Sequence, residues 1–228
     1  MPFTDETLEF MVRNKITDSR DWFHEHREEY EKLVVEPLAE LVTELAPVMV
    51  EIDSAIMCIP KVGKSISRIW RDTRRGPELP IFRDVMWLTF LRSKQQNLPG
   101  FWFEFSPRAL RWGCGWYQTD PKIMAELRTL ILSDSRLWKY ALKSYKKQDA
   151  FELENERYKR SKYPDEKPEK REWLDLKSAC LTHNELGLEL LFSDGLALRL
   201  AEDFRSIAPI YRLFLESTLR ADLPERMR

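Results

Sequence analysis

Residues 99–117 read Pro99-Gly100-Phe101-Trp102-Phe103-Glu104-Phe105-Ser106-Pro107-Arg108-Ala109-Leu110-Arg111-Trp112-Gly113-Cys114-Gly115-Trp116-Tyr117. Phe101, Phe103 and Phe105 alternate with Trp102 and Glu104, and Trp112, Cys114 and Trp116 alternate with Gly113 and Gly115. A period of two with aromatic enrichment marks β-strands, because successive side chains leave a strand on opposite faces. Ser106-Pro107-Arg108-Ala109 separates the two runs with Pro at the second turn position, so they are read as an antiparallel hairpin. Residues 85–92 supply a third strand. Residues 66–72 supply a fourth, in which Arg68 and Trp70 face one side and Ile69 and Arg71 the other. That segment also has a competing helical reading, with its cations on one helical face and Val62, Ile66, Ile69 and Trp70 behind.

Outward from the strands the rhythm is helical. Thr4 before Asp5 and Glu6 is a helix start, for a helix to about Arg13. Asp18 or Ser19 opens a longer one whose apolar face runs Trp22, Phe23, Tyr30, Leu33, Val34, Leu38, Leu41 and Leu45, with a kink or restart at Pro37. Asp120-Pro121 starts a helix to about Leu132, and another follows to about Lys147. Residues 159–171 are almost all charged and read as an exposed loop, followed by a short helix around 172–179. Helical periodicity then runs from Asp194 to Leu219 with an interruption at Pro209. The expected architecture is α+β, a single domain over 1–228. Its antiparallel sheet of four to five strands is covered by helices from the N- and C-terminal parts.

Composition bounds the function classes. The 37 basic and 38 acidic residues leave a net charge of -1, so a polyanion must be met by a local patch and not a global field. Nucleic acid stays open on those terms. No apolar run approaches a membrane span, and Met1–Glu6 lack the basic start and apolar run of a signal peptide. Cys58, Cys114 and Cys180 stand in no paired spacing, which suits reduced thiols and a cytoplasmic setting.

Most motif readings fail on their own chemistry. Gly63-Lys64-Ser65 resembles the tail of a phosphate-binding loop, but Cys58 occupies the first glycine position and a strand, not a helix, is expected after it. His24 and His26 lie about 200° apart around a helix and cannot share a metal from one face; no metal or cofactor is assigned. Gly113-Cys114-Gly115 lacks the third glycine of a dinucleotide site and reads as a close approach, by a neighbouring group or by a ligand. Trp102 and Trp112 could stack bases, though hairpin tryptophans more often belong to a core.

The stretch 61–75 holds Lys61, Lys64, Arg68, Arg71, Arg74 and Arg75 against Asp72 alone. Converging guanidiniums suit a phosphate or a carboxylate through bidentate hydrogen bonds. Three readings follow. In the first, Arg68, Arg71 and Arg74, joined by Lys159 and Arg160, bind a small anionic ligand or nucleic acid, with Asp72 in support. In the second, an enzyme uses Asp72 or Glu104 as acid or base beside those arginines. In the third, the arginines are paired internally and the protein has a structural or protein-interaction role. The sequence assigns no reaction and no catalytic residue.

Several segments together resemble the uncharacterised bacterial domain-of-unknown-function family 2461. They are Trp22-Phe23, His26, Tyr30 and Pro37; Arg68 through Arg74; Pro99 through Phe103; Gly113 through Tyr117 on to Arg128; Lys159-Arg160; and Phe204 through Leu215. The resemblance implies no activity. After Arg74 the chain departs from the family pattern, with Pro77 and Leu79 where lysines are usual and Val85 where a His is common. The departure implies an altered site if the family uses that loop for an anion.

Overall fold

The computed structural model describes residues 3–76, 78–92, 98–116 and 118–222; Pro77 and Tyr117, both quoted above, lie outside that set. The fold class is α+β, with one antiparallel sheet of five strands among helices. The strands are β1 (Met86–Phe90), β2 (Gly100–Phe105), β3 (Leu110–Gly115), β4 (Glu152–Leu153) and β5 (Cys180–Glu185). Their order is β1-β2-β3-β5-β4. The backbone gathers into two compact units, one of Met1–Phe90, Trp102–Trp112 and Asn184–Glu202, the other of Leu91–Phe101, Gly113–His183 and Asp203–Arg228.

In the first unit, α1 (Asp5–Thr17) begins as expected but runs a turn beyond Arg13. Asp18 does not start the next helix. It ends α1 in the left-handed region at φ 46°, and Ser19 caps α2 (Arg20–Glu25) by accepting the Trp22 N–H at 3.3 Å. A short helix α3 (Arg27–Tyr30) leads into a π-helical turn, Glu31–Val35, and then into α4 (Glu36–Ile52). The restart predicted at Pro37 coincides with this wide turn: the backbone stays helical through Val35 and Glu36, and Pro37 enters the first turn of α4 with no N–H to donate. Leu38, Leu41, Val42, Leu45, Val48 and Met49 form the buried face of α4. The strands keep their expected alternation. Met86, Leu88 and Phe90 of β1 and Phe103 and Phe105 of β2 are buried, whereas Trp87, Thr89, Trp102 and Glu104 are half-exposed.

Residues 66–72 are extended, which removes the helical alternative. They form no continuous strand but are held by isolated antiparallel bridges, Ile66 to Leu88 and Trp70 to Phe82. Ser65 after the Gly63 turn accepts the Ile59 N–H at 3.0 Å, and extended chain follows, so the phosphate-loop reading is excluded.

In the second unit, Asp120 caps α5 (Pro121–Leu132) through Lys122 N–H at 2.7 Å, and α6 (Arg136–Tyr145) follows. Two short elements escape the sequence reading, β4 and β5, which pair with Glu152 opposite Thr182 and Leu153 opposite Leu181. Helix α7 (Pro168–Leu174) starts inside the stretch expected to be loop. Helix α8 (Leu196–Ala221) runs through Pro209 without the expected interruption. Its Phe204 and Tyr211 pack on Phe101 with ring centroids 5.2 and 4.8 Å away, and Phe214 packs on Trp116 at 4.8 Å.

Gly113 and Gly115 are explained by backbone, not by a ligand. A Cβ on Gly113 would lie 1.8 Å from the Leu181 carbonyl oxygen, and one on Gly115, at φ 142°, would lie 2.5 Å from the Ala179 oxygen. No L-residue fits either place without moving β5. Gly113→Ala should therefore cost about 2–4 kcal/mol in urea unfolding, in the upper range for single substitutions. A cost no larger than that of an exposed alanine substitution would show that β5 does not approach so closely.

Candidate functional site

The basic stretch lies along an irregular antiparallel pairing in the first unit. Arg71 N–H donates to the Ile81 carbonyl at 2.7 Å and Arg83 N–H to the Ile69 carbonyl at 2.9 Å; further along, Ser67 N–H donates to Trp87 O at 2.9 Å. One residue lies between Ser67 and Ile69, but three lie between Arg83 and Trp87, so the second strand carries a two-residue bulge. An even insertion preserves the alternation of faces, and the Arg83 guanidinium lies over the Trp87 ring at 4.8 Å. Arg83 Nη1 also donates to the Arg68 carbonyl at 3.2 Å.

The bulge turns Asp84 inward. Its buried carboxylate accepts a hydrogen bond from Lys15 at 2.7 Å and pairs with Arg108 at 3.3 Å. The neighbouring Phe82 N–H donates to the Asp18 carboxylate at 3.0 Å. The C-terminal end of α1 thus pins residues 82–84, and through them the Arg83 backbone.

The third reading, in which the arginines are paired internally, holds for Arg74. Asp72 accepts both Arg74 Nε and Nη2 at 2.8 Å as well as the Arg74 N–H at 3.2 Å, closing a short 3-10 turn over Thr73–Arg75. That pairing raises the Arg74 pKa through the hydrogen bond and the Asp72 charge. It also ties up the carboxylate put forward as an acid or base. Glu104, the other candidate, pairs with Arg111 at 3.6 Å.

The remaining cations are different. Among the described residues, no carboxylate pairs with Lys61, Lys64, Arg68, Arg71 or Arg83. Arg68 is exposed, with its guanidinium at van der Waals distance from where a Gly63 Cβ would stand. Arg71 is half-buried, and its Nε is fully buried without a hydrogen-bond partner. Burial and then the Arg71 charge lower the Arg83 pKa below its ordinary value. The two guanidiniums are thus near enough for one charge to act on the other, and among the described residues neither has a carboxylate partner.

Lys159 and Arg160 belong to the second unit and are exposed there. Arg83 was missed by the sequence reading. It is a single cation between Ile81-Phe82 and Asp84, and only the pairing of Trp70 with Phe82 brings it to Arg71. Of the two hairpin tryptophans, Trp112 is fully buried and Trp102 half-exposed. Among the described residues, no group of three or more His, Cys, Asp or Glu side chains could hold a metal ion. A cleft of about 60 Å³ in the first unit is lined by Phe3, Pro37, Glu40, Leu41, Glu44 and Asp194. It is far smaller than an ordinary ligand pocket, and its carboxylates repel an anion.

The model of the family described as "Conserved hypothetical protein (DUF2461)" matches residues 6–213. The chain belongs to this family. No curated protein matches it. The family match takes in the whole Arg68–Arg83 region and carries no activity with it.

The environment of Asp84 gives a pH signature. Burial raises its pKa, but the Lys15 hydrogen bond and the charges of Lys15 and Arg108 more than offset this and hold it below 3.8. A depressed carboxylate adds stability that is present above its unfolded pKa and is lost as pH falls through the folded value. Wild type should therefore lose stability more steeply than Asp84→Asn below about pH 3.8. At pH 7 the variant should be the less stable by about 1–3 kcal/mol, from the charge-assisted bonds lost. Parallel acid slopes for the two proteins in urea titrations would contradict this assignment.

Proposed function

We propose that the protein is a binding module for an anionic ligand, phosphorylated or carboxylated, held by Arg71 and Arg83. The observation that carries this reading is the row of cations without carboxylate partners, in a chain whose acids and bases nearly balance. The buried, unpartnered Nε of Arg71 is its sharpest member. A buried donor left unsatisfied costs about 1–3 kcal/mol, a cost that an anion bound at the site would offset. Arg74 contributes little, since Asp72 already neutralises it on the surface. The reading sets this activity in the cytoplasm, with Cys58, Cys114 and Cys180 as reduced thiols outside any disulfide.

A thermal-shift screen with phosphate, pyrophosphate and simple di- and tricarboxylates tests the proposal. A ligand at about 100 times its dissociation constant stabilises by about 2.7 kcal/mol, which raises Tm by roughly 5–11 °C for a chain of this length. The shift should disappear in Arg71→Leu and Arg83→Leu and persist in Arg74→Ala. In the absence of anion, Arg71→Leu should be no less stable than wild type, because it removes an unsatisfied donor and a repulsion with Arg83. A screen in which no anion shifts Tm would end the anion reading.

A further inference from the structure

The arginine pair does not stand alone on its surface. Arg83 lies over Trp87, and Trp87 is one of the side chains that β1 turns away from the core. On the adjacent strand β2, Trp102 points the same way, half-exposed between buried Phe101 and Phe103. On β3, Arg111 reaches back over the Trp102 ring at 5.6 Å, where Glu104 and the Asn184 side chain hold it. One face of the first unit therefore presents, in order, Arg71, Arg83, Trp87, Trp102 and Arg111. Two indole rings are each overlaid by a guanidinium, and the segment that bridges to β1 at Ile66 carries Lys61, Lys64 and Arg68, with which no carboxylate pairs among the described residues.

We infer that this face binds a single-stranded nucleic acid, with phosphates on the edge cations and bases stacked on Trp87 and Trp102. The inference rests on the anion reading above and gives it a substrate class. The residue types match the need, since a strand without sequence preference is held by cations tracking its backbone and by aromatic rings under its bases. Arginine planes over the rings extend the stacking surface. The extent also matches. From the bridged segment at 65–71 across β1 and β2 to β3 is three inter-strand steps of about 4.8 Å, roughly 14 Å. That spans several nucleotides at about 3.4 Å each in a stacked strand, more than a mononucleotide fills. A duplex buries its base faces and cannot use the indoles.

The test compares a fluorescent 12-residue oligothymidylate with pyrophosphate on wild type, Trp102→Leu, Trp70→Leu and Arg71→Leu, all confirmed folded by circular dichroism. Trp70 is 40% exposed but belongs to the opposite face, packed on Phe23 and Phe82, and serves as the control. The oligonucleotide should bind more tightly than pyrophosphate and more tightly than the same length of duplex. Its affinity should fall about 20-fold between about 50 and 200 mM salt if three phosphates are neutralised. Trp102→Leu should weaken it about 10-fold or more without changing pyrophosphate binding. Trp70→Leu should change neither, and Arg71→Leu should weaken both. Pyrophosphate binding with oligonucleotide affinity no higher, or unaffected by Trp102→Leu, overturns the strand inference and leaves the anion site standing. Equal affinity for duplex also overturns the strand inference. Binding of neither ligand overturns both.

Discussion

At Gly113 and Gly115 the approach of β3 to β5 is limited by backbone atoms alone, and the order of the sheet depends on it. Central strands ordinarily meet through side chains standing above and below a common plane. Here the space that a methyl group would need at both positions is taken by the chain between Ala179 and Thr182. Cys114 between them is the residue that points into the core, fully buried. The same glycines that look like a fragment of a nucleotide-binding loop are thus spent on joining two strands.

A second constraint shapes the charged edge. Antiparallel pairing between 65–71 and 81–89 would be regular but for the two residues inserted between Arg83 and Trp87. Because the insertion is even, the faces stay in phase, and because it bulges, Asp84 can leave the edge for Lys15 and Arg108. The one carboxylate in that stretch is withdrawn from the arginines by the same distortion that aligns Arg83 with Trp87. Local sequence balance, one acid among several bases, therefore says little about local charge balance in the fold.

Much of the fold was legible because it rests on local rules. The hairpin followed from alternation and Pro107, α5 from Asp120-Pro121, and a break in the long helix from Pro37. What was not legible depended on partners distant in the chain. Residues 180–185 show no alternation, since β5 meets backbone at one edge and the two-residue β4 at the other. Pro209 was expected to interrupt α8, yet Ile207, Ile210, Tyr211 and Phe214 on either side of it are fully buried, and that packing outweighs the lost hydrogen bond. At the site, Arg68, Arg71 and Arg74 were visible as a run, but their different fates were not. Asp72 takes Arg74 through contacts two residues away, whereas Arg71 gains Arg83 only through long-range pairing.

The π-helical turn at Glu31–Val35 has a consequence for how this chain tolerates change in length. A π turn spends one residue more than an α turn on nearly the same sweep around the axis, so removing that residue leaves an ordinary α-helix with its flanking faces close to their original phase. Phe23, whose ring sits 5.2 Å from Trp70 and 5.1 Å from Phe82, would keep its bearing on the segment that carries Arg71 and Arg83. The same deletion inside α4 would instead turn everything on its N-terminal side by about 100°. The wide turn is thus the one place in this helical run where the chain can shorten without re-aiming the aromatic cluster before it.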